Sequence, residues 1–135
     1  MSARTIGDVT LDFVSPDVLE VRWKGSFGAA EADALFAFTE ELRKRPDNKH
    51  LFLYIDVHAA SGIDSRARKR ISDLTKARPY TASAVVGASF PIRVAIELIV
   101  NAARLLVKDA TETRFFDTDV EARAWFAEVR GNLAT

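Results

Sequence analysis

Residues 51–70 read LFLYIDVHAASGIDSRARKR, and the fold turns on where the strand in this stretch stops and the helix begins. With His50, the run HLFLYIDV is apolar almost without a break, which marks a strand buried on both faces in the middle of a sheet. Small residues with two serines follow, then a basic segment in which Ala67, Ile71 and Leu74 keep helical spacing. The expectation is a strand ending near Asp56, a polar loop, and a helix capped by Asp64 or Ser65. Their side-chain oxygens suit the free N–H groups and positive end of a first turn. The plain reading of Ser61, Asp64 and Ser65 is therefore loop and cap; the functional reading is a partner-binding or modified loop.

Upstream, TLDFV and VLEVRWKG alternate in polarity, and Ser15-Pro16-Asp17 between them is turn chemistry, so a hairpin is expected. Leu19, Val21 and Trp23 share one face of its second strand; Glu20, Arg22 and Lys24 share the other, wetter one. From Gly28 the period becomes helical, with Glu31, Ala34, Leu35, Phe38 and Leu42 on one side, Phe36 off it, and a stop at Pro46-Asp47-Asn48. Downstream, Pro79 ends the second helix and TASAVVGA is a strand. Ser89-Phe90-Pro91 starts a long helix running to about Lys108. ETRFFD is a further strand, and Asp117 or Thr118 caps the amphipathic DVEARAWFAEV. The order β-β-α-β-α-β-α-β-α predicts one α/β domain with its core over about residues 5–130. Its five-stranded mixed sheet is mostly parallel with an antiparallel edge, and four helices complete it.

At 135 residues the chain suits one domain with a sizeable core. Nineteen basic residues balance 19 acidic ones, so no global field recruits nucleic acid or anionic membrane, and charge-driven binding must be local. The absence of cysteine removes disulfide, thiolate and zinc-thiolate chemistry. MSARTIGDV has no apolar run of the kind a secretory signal needs. The run over residues 95–107 is broken by Glu97, Asn101 and Arg104, short of the roughly 20 residues of a membrane span. A cytoplasmic protein is expected.

The element order, together with AVVGASFPIRVAIELIVNAARLL and TETRFFDTDVEARAWF, resembles the SpoIIAA-like branch of the STAS domains, also labelled STAS/SEC14-like. The resemblance implies a small regulatory or ligand-sensing module without catalysis. SpoIIAA-type members antagonise anti-sigma factors and are switched by phosphorylation of a serine in a strand-loop-helix motif, D-S-S-G-L. Asp56 and Asp64 here keep the separation of the family's two aspartates, and Ser65 matches the first serine. Arg66 stands at the phosphoacceptor position and Ala67 at the glycine, so the resemblance carries the fold further than the switch. In an alternative register, a shorter loop would let Ser61-Gly62-Ile63 imitate S-G-L.

Chemistry is thinly represented. A nucleophile needs a base in hydrogen-bond reach, and His50 and His58 flank one strand without an apparent triad or a shared metal site. VVGASFP lacks the glycines of a phosphate loop. No catalytic residue, metal or cofactor is expected. Arg66, Arg68, Lys69, Arg70, Lys76 and Arg78 make the second helix cationic, with Arg43, Lys44 and Arg45 ending the first. A solvated face is the plain reading, and a docking surface for an acidic protein or anionic ligand the sharper one. Nucleic acid is disfavoured because no aromatics interleave. On the long helix, Arg93, Glu97, Asn101, Arg104 and Lys108 collapse onto one polar stripe, leaving an apolar arc wider than one core contact needs. Its surplus flank is covered by neighbouring helices or forms a homodimer interface, a lipid or small-ligand groove, or a partner site.

The sequence thus points to a regulatory module acting by protein contact through Asp56, Ser61, Asp64, Ser65, Arg66, Arg68, Lys69 and Arg70. The alternative is a small-molecule or lipid-binding domain with an apolar site beneath the 91–107 helix, at Ile92, Ile96, Ile99, Val100, Ala103 and Leu106. Enzymology ranks third.

Overall fold

Along the described residues the elements are β1 (Arg4–Ile6), β2 (Val9–Val14), β3 (Val18–Phe27), α1 (Ala29–Arg43), β4 (Phe52–Ile63), α2 (Ser65–Thr75), β5 (Ala82–Val86), α3 (Phe90–Leu106), β6 (Glu112–Phe116) and α4 (Asp119–Leu133). The structure is a computed structural model that describes residues 3–14, 16–45, 50–75, 80–107 and 111–133. Ser15, the expected helix stops at Pro46-Asp47-Asn48 and Pro79, the cations Lys76, Arg78 and Lys108, and the side chain of Leu74 lie outside that description.

The strands lie in one sheet in chain order, β1 to β6. β1, β2 and β3 are antiparallel, and β3 to β6 are parallel. The sheet has six strands where five were expected. The extra one, β1, joins β2 through Gly7, whose φ of 57° opens a left-handed turn that favours glycine. Three residues are too few to display a strand period, so it leaves no pattern in the sequence.

Each parallel step crosses over through a helix, and α1, α2 and α3 cover one face. Leu35 and Phe38 of α1, Ala67 of α2, and Ile92 and Ile96 of α3 share a core with Val21, Trp23, Leu53 and Val85. The outward Phe36 is exposed, as expected; Ala32 and Thr39 join the buried side of α1. The fourth helix covers the opposite face, where Ala122, Trp125 and Phe126 pack on Phe52, Tyr54, Ala84 and Val86. β4 contributes to both cores because its side chains alternate, and this explains the unbroken apolar run.

β4 is longer than expected. The small residues Ala59, Ala60, Ser61 and Gly62 are strand where a loop was expected, with Lys24 paired to Ala59, Gly25 to Ala60, Ser26 to Gly62 and Phe27 to Ile63. Register shifts between Arg22 and Lys24 and between Gly25 and Ser26 keep the two strands together. β5 stops opposite Asp56, so beyond that point β4 pairs with β3 alone.

α4 is fastened by charge as well as packing. Arg130 donates to both oxygens of Asp17 at 2.9 and 2.7 Å, and Arg123 bridges Glu20 and Asp119. Thr118 caps the helix, accepting from the Glu121 N–H and donating to its carboxylate. The Tyr54 hydroxyl donates to Asp119 Oδ1 at 2.6 Å. This bond, with Arg123 and against slight burial, holds the Asp119 carboxyl below its usual value of 3.8. Burial first, and then Asp119, push the Tyr54 phenol up.

A carboxyl with a lowered folded pKa adds stability above its unfolded pKa and loses it as pH falls through the folded one. Tyr54→Phe removes the main cause, so the Asp119 titration followed by carbon-13 NMR is expected to move up toward 3.8, and acid unfolding below that pH to lose less stability. An unmoved titration contradicts the coupling.

Candidate interaction site

α2 begins where the β3/β4 ribbon ends. The Asp64 N–H donates to the Phe27 carbonyl at 3.1 Å, and Asp64 Oδ1 accepts the Ala67 N–H at 2.7 Å. Asp64 is thus the cap, and Ser65 the first helical residue. Ala67 is fully buried and Ile71 half-buried, which turns Arg66, Arg68, Lys69 and Arg70 to solvent. Arg70 lies 3.5 Å from Asp33 of α1. Arg43 pairs with Glu40, and Arg45 lies over the Phe13 ring. Arg66, Arg68 and Lys69 have no ion pair among the described residues.

Ser61 and Ser65 are both exposed, and neither hydroxyl has a hydrogen-bond partner among the described residues. Asp56 stands apart from them. By strand alternation it lies on the α4 side of the sheet with Tyr54, opposite α2. There its Oδ1 accepts the His58 N–H at 3.1 Å and sits 2.7 Å from His58 Nδ1. Partial burial opposes ionisation of Asp56, but the bonds from the His58 ring and backbone, with Arg22 nearby, outweigh it and lower the carboxyl pKa. The ring lies over Gly87, where a Cβ would meet it at 2.4 Å, and the φ of 80° also favours glycine. This Asp56-His58 contact was not expected, because it follows from the length of β4. Among the described residues no cluster of three or more His, Asp or Glu side chains could hold a metal. Nor does any helix there reach the length and hydrophobicity needed to cross a membrane.

The residues singled out on α3 divide. Ile92 is buried in the core, while Ile96, Ile99, Val100 and Ala103 line an apolar cavity of about 100 Å³ between α3 and the sheet. Trp23, Leu53 and Ile55 form its floor. Tyr80 also borders it, its hydroxyl 2.7 Å from Thr39 Oγ1, and among the described residues no buried side-chain polar atom lacks a partner. Leu106, the last residue of α3, lies in line with the buried Ile92 and Ile99 yet is 65% exposed, whereas Val94, Leu98 and Leu105 are exposed on the outer side. These, together with Phe90, are the surplus flank of the helix.

The SpoIIAA-like family matches residues 18–127, so the chain belongs to that family. No curated protein matches it in sequence. Among solved structures it is similar to a protein with a SpoIIAA-like fold from Shewanella loihica, at 16% identity and a TM-score of 0.63 over 93% of this chain and 98% of that one. It is also similar to the anti-sigma factor antagonist SpoIIAA in its unphosphorylated form, at 13% identity and a TM-score of 0.60 over 91% and 98%. A sulfate transporter family protein from Wolinella succinogenes matches at 16% identity and a TM-score of 0.61 over 89% and 93%. At these identities the likeness is one of fold.

Proposed function

We propose that this SpoIIAA-like domain is a non-enzymatic regulatory module of the cytoplasm that binds an acidic protein surface through the exposed face of α2. The observation that carries the reading is the set of cations Arg66, Arg68 and Lys69, without an ion pair among the described residues, on a helix seated by the β3/β4 ribbon in a chain whose charges balance. The cap at Asp64 and the two exposed serines flank this face and complete the contact; Asp56 does not belong to it. Of the family's proteins, SpoIIAA is an anti-sigma factor antagonist, and competition for a protein partner is the mechanism proposed here too. Arg66 at the phosphoacceptor position makes the contact constitutive, with no phosphoserine switch. Rim charges of this kind act mainly on association rate and are screened by salt.

The test is capture from lysate of the native host, compared between the wild type and Arg66→Glu/Arg68→Glu/Lys69→Glu. The wild type is expected to retain a protein that the variant loses and that elutes as salt rises, with circular dichroism unchanged. Equal capture by both contradicts the reading.

The cavity under α3 supports a second reading, a site for a small apolar molecule. Its volume of about 100 Å³ is below the roughly 150 Å³ engineered cavity that takes up benzene and far below the roughly 300–1,000 Å³ of drug-sized pockets. A lipid chain therefore enters only if α3 moves. Benzene or xenon is expected to shift the methyl resonances of Ile96 and Ile99 saturably, and Ala103→Leu, which fills the space, to abolish the shift. Unperturbed methyls in the wild type contradict it.

A further inference from the structure

α3 carries two apolar seams. Ile92, Ile96, Ile99 and Ala103, spaced by three and four residues, face the sheet and are buried. On the outer side Pro91, Leu98 and Leu105 recur every seven residues with Val94 and Asn101 between them, and all five are exposed. Leu98 is 57% exposed and Leu105 89%. Residues at this three-and-four spacing, here over two heptads, give a stripe along which a helix can pack against another helix. The stripe is about 21 Å long at 1.5 Å per residue, and no described element covers it.

We infer that α3 pairs antiparallel with α3 of a second copy of this chain. In that arrangement Val94 meets Leu105 of the other copy and Leu98 meets Asn101, each contact occurring twice about a twofold axis. Glu97, on the edge of the seam, then faces Arg104 of the other copy, and Arg104 faces its Glu97. Glu97 is held by Arg93 at 2.9 Å, and Arg104 has no ion pair among the described residues. A parallel pairing instead sets Glu97 opposite Ala102, with no complementary charge. The charges therefore select the antiparallel form.

Asn101 argues for a second copy over a membrane. It lies in the middle of the stripe, where insertion into hydrocarbon leaves its amide without partners. A helix seam tolerates a single such residue at a cost in stability and uses it to fix register. Here Asn101 falls beside the twofold axis, within reach of its counterpart. The surface is one helix wide, less than the roughly 800 Å² per partner of a standard interface, so dissociation in the micromolar range is expected. This pairing does not depend on what binds α2.

Sedimentation equilibrium of the full chain tests it. The wild type is expected to show a monomer–dimer equilibrium in the micromolar range, and Leu98→Glu to be monomeric with unchanged circular dichroism and melting, since that side chain is mostly exposed. Arg104→Glu is expected to weaken dimerisation about tenfold, and Glu97→Arg with Arg104→Glu to restore it. A wild type that stays monomeric at near-millimolar concentration overturns the inference. So does a double variant no tighter than Arg104→Glu alone, which removes the antiparallel register. A wild type that is monomeric but co-sediments with phosphatidylcholine vesicles assigns the stripe to a membrane and overturns it as well.

Discussion

The structure depends on β4 being held from both sides and on both faces. Between Phe52 and Asp56 it is paired to β3 and β5 at once, while Leu53 and Val57 enter one core and Phe52 and Tyr54 the other. Slipping this strand by one residue would exchange the two sets and put Asp56 into an apolar layer. Beyond Asp56 the support narrows to β3 alone. A two-stranded ribbon is marginal by itself, and this one is steadied from beneath. The Trp23 and Phe27 rings lie 5.1 Å apart, and the Trp23 indole donates to the Gly25 carbonyl. Phe27 is buried, and Ile63 packs against the same core. The ribbon delivers Asp64 to the start of α2, so the position of the cationic helix follows from strand pairing and not from a flexible loop.

That seating shapes what each face can do. On the α4 face three arginines are engaged within the molecule. Arg123 and Arg130 hold the helix to Glu20 and Asp17 while lying over the Tyr54 and Phe52 rings, and Arg114 lies over Trp125. On α2, of Arg66, Arg68, Lys69 and Arg70, Arg70 alone has an ion-pair partner among the described residues. With equal numbers of acidic and basic residues in the chain, the difference between the faces lies in placement alone. The outer flank of α3 differs again, being apolar and exposed, so the molecule presents two separate surfaces of different chemistry.

The sheet, the crossover helices and the two-faced burial of β4 were legible because they are written as periodicity, in Leu19, Val21 and Trp23 or in Ile92, Ile96 and Ile99. The strand over residues 58–63 was not. Alanine, serine and glycine carry turn composition, and what makes them strand is β3 lying alongside with two register shifts, a non-local fact. The same extension moved Asp56 to the α4 side and brought His58 over Gly87, neither of which local spacing reveals. On α3 the surplus of apolar residues was visible from angular position, but which flank is exposed depends on which side meets the sheet. The residues chosen there, Ile96, Ile99 and Ala103, are the inner wall, and the outer stripe at Val94, Leu98 and Leu105 had to be found from exposure.

Amide hydrogen exchange over residues 57–63 tests the central claim most directly, because protection reports whether those backbone groups are paired. If β4 runs to Ile63, the amides there that pair with β3 exchange slowly, and within about a factor of ten of those between Phe52 and Asp56. Exchange of the whole segment at the rate of an unstructured loop would contradict the extended strand, and with it the rigid seating of α2.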